Sequence, residues 1–168
     1  MHWLASTVLA SQVLLLLYVA AADIATRLIR NEICLALALL GITSQFTGRT
    51  HLVESLVVAT LLFMLLIVAF QRGWIGGGDV KLLTALAIGL PLAGVVQLIT
   101  VTAYAGAVLA LVHLMMRRLP TPGTAPAGSS LIRRVYAVER WRHLRRAPLP
   151  YGAAIACGGV WALLSQGH

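Results

Sequence analysis

The sequence predicts an all-α protein that passes through a membrane several times, and three observations carry that expectation. Hydrophobic residues make up 60% of the 168 positions and charged ones 11%, with a mean hydropathy of +0.89. A soluble domain is nearer half apolar and a quarter charged. The apolar residues gather into long charge-free runs, and the short segments between those runs hold nearly all of the charge. This length accommodates several spans with short loops but no further domain of ordinary size. Residues 1–168 therefore read as one transmembrane domain.

The first run, Trp3 to Ala22, has the length needed to cross about 30 Å of hydrocarbon. A removable signal peptide is the competing reading of an N-terminal run. Here no basic region precedes it, and a charged loop stands where a small-residue cleavage site would be. Further runs are Ile33–Thr47, Ser55–Gln71, Leu82–Met116 and Tyr151–Gln166. The fourth is too long for one helix, and Gly89-Leu90-Pro91 with Gly94 breaks it near one end. Six transmembrane helices result, over 3–22, 33–48, 55–71, 80–91, 94–116 and 150–166. Several are short for a full crossing, which calls for little tilt or a locally thinned bilayer.

Basic residues set the orientation. With the N-terminus outside, every Lys and Arg except Arg49 falls on the cytoplasmic side, a strong positive-inside asymmetry. The expected location is a bacterial inner (cytoplasmic) membrane, crossed many times. The formal net charge of +8 is thus no sign of nucleic-acid binding. Most of it lies in a cytoplasmic loop at about 117–149, which begins rich in Pro and Gly and ends rich in Arg. Such a segment suits an interface with anionic lipid. Leu131, Val135 and Val138 give it only a partial amphipathic face.

The only two aspartates, Asp23 and Asp79, each sit where an apolar run meets a short basic loop. Two runs, Ile33–Thr47 and Ser55–Gln71, separate them, so alternating topology brings both to one face. Carboxylates at one membrane depth point to acid–base chemistry. Asp79 closes the run Gly76-Gly77-Gly78 at the start of the fourth helix. Glycines there allow close backbone approach and an edge for an extended strand. The competing reading is a helix N-cap, since Asp caps helices well and its charge suits the dipole.

Two further blocks accompany it: Asp23-Ile24-Ala25-Thr26-Arg27-Leu28-Ile29-Arg30-Asn31 after the first helix, and Pro150-Tyr151-Gly152 opening the last. Taken with Gly76-x-Gly78-Asp79-x-Lys81, these blocks resemble the type IV prepilin peptidases, a branch of the Gly-x-Gly-Asp membrane aspartyl proteases. The resemblance implies an endopeptidase that removes the leader of prepilin-like membrane substrates, cutting after a glycine at the cytoplasmic face. It puts the catalytic aspartates at Asp23 and Asp79. Gly76 and Gly78 fall on the motif glycines, and Arg27, Ile29, Asn31 and Lys81 on recurrent supporting positions. Arg30 departs from the pattern, standing where a proline would open the second helix. That leaves the entry of the helix and the aim of Asn31 open.

Long members of the family carry paired Cys-x-x-Cys motifs and an N-methyltransferase activity. This chain has only Cys34 and Cys157, far apart in apolar runs, a spacing that builds no zinc site. The resemblance is therefore to the short, peptidase-only form of tight-adherence (Flp) pilus systems. Both cysteines are expected as small core residues. His113 is expected to pack within a helix, Glu32 and Glu54 to serve helix N-termini, and Gly106, Gly158 and Gly159 to let helices approach.

Two aspartates sharing a site cannot both ionise easily. One keeps a proton while the other takes one from a water that attacks the scissile carbonyl. This chemistry needs no metal and no organic cofactor. Two other functions stay open on the residues alone: a small transporter or channel using Asp23 and Asp79, and an inactive scaffold of pilus assembly. The pilin substrate and the oligomeric state, a homo-oligomer included, also stay open.

Overall fold

The structure is a computed structural model that describes residues 2–47, 52–118 and 149–166. The described residues are helical, with no strand among them. Six helices follow in order: α1 (His2–Thr26), α2 (Asn31–Thr47), α3 (Leu52–Gln71), α4 (Gly77–Ala87), α5 (Leu92–Arg118) and α6 (Tyr151–Ser165). The chain divides into two compact units. The first holds residues 1–106 and 150–168, and so α1 to α4, the first part of α5, and α6. The second comprises 107–149, of which the end of α5 is described. The expected basic loop at 117–149 lies almost wholly outside the described residues.

Three helices contain segments long and apolar enough to cross a membrane: Trp3–Thr26, Leu52–Gln71 and Leu92–Met115. Two more, Asn31–Phe46 and Tyr151–Ser165, are apolar but shorter. At 1.5 Å per residue, the eleven residues of α4 rise only ~16 Å, about half the hydrocarbon thickness.

In the first unit most helices bury one stripe and show the rest to their surroundings. On α1 the buried residues are Gln12, Leu16, Val19 and Asp23, spaced four, three and four apart as one helical face requires. On α2 they are Cys34, Leu37, Gly41 and Gln45, and on α3 Ser55, Ala59, Leu62 and Leu66. α6 buries eight of its fifteen residues, and α4 buries Val80, Leu82, Leu83, Ala85, Leu86 and Ala87. It packs against α2, α3 and α6, while α1 packs against α2 and α6. A short apolar helix covered over most of its surface, with Lys81 exposed, lies among three others.

Small residues permit this closeness. A Cβ on Gly158 of α6 would lie 2.6 Å from the Leu98 carbonyl oxygen of α5, and one on Gly159 would lie 3.0 Å from methyls of both Leu16 and Leu86. Gly106 sits against the Tyr151 ring. All three thus have the packing role expected of them. Of the cysteines, Cys34 is buried, but Cys157 is exposed on the outer side of α6. The expectation of a core cysteine fails there because α6 buries the residues flanking Cys157 instead, Ala156 and Gly158.

Helix ends depart from the expected bounds in ways the backbone explains. α4 begins three residues early and stops before Gly89-Leu90-Pro91, where turn bonds run from Gly89 N to Leu86 O and from Leu90 N to Ala87 O. Pro91 disfavours a helical residue before it and cannot donate. α3 closes on Gly73 at φ +73, with Trp74 N bonded to Ala69 O and Gly73 N to Phe70 O. That paired pattern is a Schellman cap, and its left-handed position favours glycine. Glu32 and Glu54 occupy the first turns of α2 and α3 as expected.

Candidate active site

α1 continues through Thr26 rather than ending near Ala22, which places Asp23 in its last turn, on the interior stripe. Asp23 is 5% exposed. Its position follows from spacing alone, because it lies one turn beyond Val19 and two beyond Leu16 on the face that meets α2 and α6. A carboxyl brought there must find hydrogen-bond donors. One comes from α6: the Ala153 N–H donates to Asp23 Oδ2 at 3.2 Å.

Asp79 is half-buried in the first turn of α4. It is not the N-cap. That position belongs to Gly76, in extended conformation at φ −73 and ψ 146 and with no side-chain cap bond. Asp79 instead stands at the third helical position and accepts a hydrogen bond from the Gly76 backbone. This is the returning half of a capping box. The carboxyl thus does service at a helix N-terminus while staying close enough to Asp23 for that charge to act on it.

The glycine run is more enclosed than the expected strand edge. Gly77 and Gly78 are already helical. A Cβ on Gly77 would lie 3.3 Å from the Phe70 ring, and one on Gly78 3.3 Å from Cβ of Ile29. Only Gly76 is both exposed and extended. Gly78 is where the Asp79 segment packs directly on the Asp23 segment.

The supporting positions gather at this same end. Arg27 caps α1 at φ 59, its N–H bonded to the Asp23 carbonyl at 2.9 Å. A left-handed conformation in a non-glycine residue costs on the order of 1 kcal/mol, and the Nε and Nη1 atoms of Arg27 are buried. Lys81 Nζ donates to Asn31 Oδ1 at 3.0 Å, which joins α4 to the start of α2 and settles the aim of Asn31. Arg30 precedes α2, and its carbonyl accepts from Ile33 N at 3.2 Å. Its exposed guanidinium pairs with Glu32 at 3.2 Å. A non-proline residue therefore opens the helix with its charge directed to Glu32. No group of three or more metal-ligating side chains occurs among the described residues.

The sequence profile of the type IV leader peptidase family matches residues 10–111, well over half of the chain, with both aspartate blocks inside the match. The chain belongs to that family. Searches of curated proteins and of solved structures give no match. Family membership makes the chain, in general terms, a membrane protease of the prepilin-leader type. The matched region ends before α6, so the Pro150-Tyr151-Gly152 block stands on geometry alone. Sequence reading gave that block no task, although Gly152 within it supplies room for Asp23 and the neighbouring Ala153 supplies a donor. A Cβ on Gly152 would lie 2.8 Å from Asp23 Cγ and 3.0 Å from Asp23 Cβ. The available signal was a glycine in the first turn of an apolar helix, where its cost to the helix calls for a reason.

Proposed function

We propose that this family member is an intramembrane aspartyl endopeptidase of the bacterial inner membrane that removes the leader of prepilin-like proteins, cutting after a glycine at the cytoplasmic face. Asp23 and Asp79 are its catalytic pair. The observation that carries this reading is the packing of the Asp79 segment on the Asp23 segment, Gly78 against Ile29, with one carboxyl interior and the other half-buried.

One aspartate accepts a proton from water as the oxygen attacks the scissile carbonyl. The other, protonated, donates to the carbonyl oxygen. Collapse of the tetrahedral intermediate breaks the C–N bond, and the leaving amine takes a proton from the pair. Gly76, Gly78, Arg27, Asn31 and Lys81 support this centre: Gly78 by close approach, Lys81 and Asn31 by their mutual bond. The chain passes the membrane six times with its N-terminus outside, and the basic loop rests on anionic lipid. The substrates are prepilin-like membrane proteins. Without paired Cys-x-x-Cys motifs it acts as the short, peptidase-only form.

The test is cleavage of a prepilin-like substrate by the purified protein in lipid vesicles. Leader release by the wild type, absent in Asp23→Asn and Asp79→Asn, is the expected result. A folded wild-type protein that releases no leader, yet passes cations in an aspartate-dependent manner, would sink the peptidase reading.

A further inference from the structure

We propose that Gly152 is a positioning residue for Asp23: its bare Cα lets the first turn of α6 close over the carboxyl, so that the Ala153 N–H fixes Oδ2 at 3.2 Å. This inference rests on the peptidase reading and deepens it by giving the last helix a part in the chemistry. α6 lies outside the region matched by the family, so its contribution is argued from contacts alone.

Three observations converge. Asp23 is interior, so its orientation is set by protein groups. The donor comes from the N-terminal turn of α6, where the Ala153 N–H is shared between the Pro150 carbonyl and Asp23, each at 3.2 Å, and the dipole favours an anionic partner. The approach is closer than any side chain allows. A Cβ at 152 would meet Cγ, Oδ2 and Cβ of Asp23 at 2.8, 2.9 and 3.0 Å. Turning the carboxyl about χ1 moves Cγ and Oδ2 but leaves the 3.0 Å contact with Asp23 Cβ, so an added methyl shifts the carboxyl from its place or pushes α6 away. The side chains of Leu16 and Leu86 hold the same helix two turns further on, at Gly159.

Two substitutions separate room from donor. Gly152→Ala keeps the N–H and adds the methyl. Ala153→Pro keeps the room and removes the N–H together with its second bond, to the Pro150 carbonyl, and proline is tolerated in the first turn of a helix, where no helical carbonyl lies four residues back. A third, Gly159→Ala, disturbs α6 packing seven residues from Gly152 without touching Asp23. Each is purified, checked for native folding by thermal unfolding in detergent, and assayed on the prepilin-like substrate for kcat and KM per folded molecule.

Gly152→Ala is expected to lower kcat roughly a hundredfold, the scale of a misplacement of about 1 Å. Ala153→Pro is expected to lower it about tenfold, the scale of one lost hydrogen bond to a charged group. Both should leave KM within a factor of about two, while Gly159→Ala should melt earlier yet keep its kcat. A folded Ala153→Pro with wild-type kcat overturns the proposal, whatever becomes of Gly152→Ala. So does a kcat loss in Gly159→Ala as large as that in Gly152→Ala. An active wild type with an inactive Asp23→Asn shows that the peptidase reading survives either result. An inactive wild type removes the reading and this inference together.

Discussion

The two aspartates differ in what holds them, and this gives the substitutions at each a distinct expectation. Asp79 accepts from the Gly76 backbone, a bond that Asn can still make through its carbonyl oxygen. Asp79→Asn should therefore keep its expression level and melting temperature while cleaving no precursor. Asp79→Ala should lose cleavage and also about 1 kcal/mol of stability, the usual scale for loss of a helix-terminal bond. Asp23→Ala and the double variant should accumulate precursor to the same extent as either single change, since such pairs act as a unit. A quantitative immunoblot of precursor and mature pilin reads all four, and efficient cleavage by a well-expressed Asp79→Asn would leave Asp79 a structural residue only. For an enzyme using one protonated and one ionised carboxyl, activity against pH should be bell-shaped, with limbs that belong to the pair. Lys81 and Asn31 form an exposed bond, so its worth is below about 1 kcal/mol. Lys81→Ala should still lose more activity on a substrate bearing a glutamate just past the cut than on one lacking it. Equal losses would make Lys81 only a strut between α4 and α2. At this scale the sequence was readable where polarity stood out against apolar runs, as at Asp23 and Asp79. It was silent at Ala153, whose contribution is a backbone N–H that every residue but proline carries.

Among the elements, α4 depends most on its neighbours. It has eleven residues, too few to be stable in isolation, and its persistence comes from packing against α2, α3 and α6. The glycine contact between Gly41 of α2 and Gly89 beyond α4 shows how tight that burial is. A Cβ on Gly89 would lie 2.7 Å from Gly41 Cα, so the obstacle is backbone and no rotamer change avoids it. Gly89→Ala and Gly41→Ala should each destabilise the protein by about 1–3 kcal/mol, measured as lower thermal midpoints in detergent. A midpoint unchanged from wild type in both would mean that the contact carries no weight. Beside it, Gln45 Nε2 donates to Ser55 Oγ and to the Ile88 carbonyl, each at 3.2 Å, tying α2, α3 and the turn after α4 together. The existence of six helices could be read from the charge-free runs, and the break at Gly89-Leu90-Pro91 from backbone rules. The beginning of α4 could not, because glycine is a poor helix former and the places of Gly77 against Phe70 and Gly78 against Ile29 are tertiary contacts. The close approaches at Gly41 and Gly152 were equally hidden, since a glycine in one run does not say which distant residue will press on it.

For the whole molecule, the proposed six crossings with an outside N-terminus make a direct topological prediction. A reporter active only in the periplasm should work when fused after His168 and fail when inserted near Gly123, with a cytoplasmic reporter behaving in reverse. Swapped signals would put both aspartates on the side opposite to the leader. The peptidase-only reading predicts that pilin cleaved by this protein alone leaves with an unmethylated N-terminus. Mass spectrometry of the product decides it, and a gain of one methyl group ends the claim. The Gly41–Gly89 contact also has a mechanical consequence. It grips α4 at the end away from Asp79, which makes the helix a lever ~16 Å long at 1.5 Å per residue. A tilt of about 4° at that pivot swings the Asp79 end by ~1 Å, enough to cost two orders of magnitude in rate if the dyad is the engine. On the peptidase reading, alignment of the carboxyls thus depends also on the opposite end of the helix, at a contact that has no chemistry of its own.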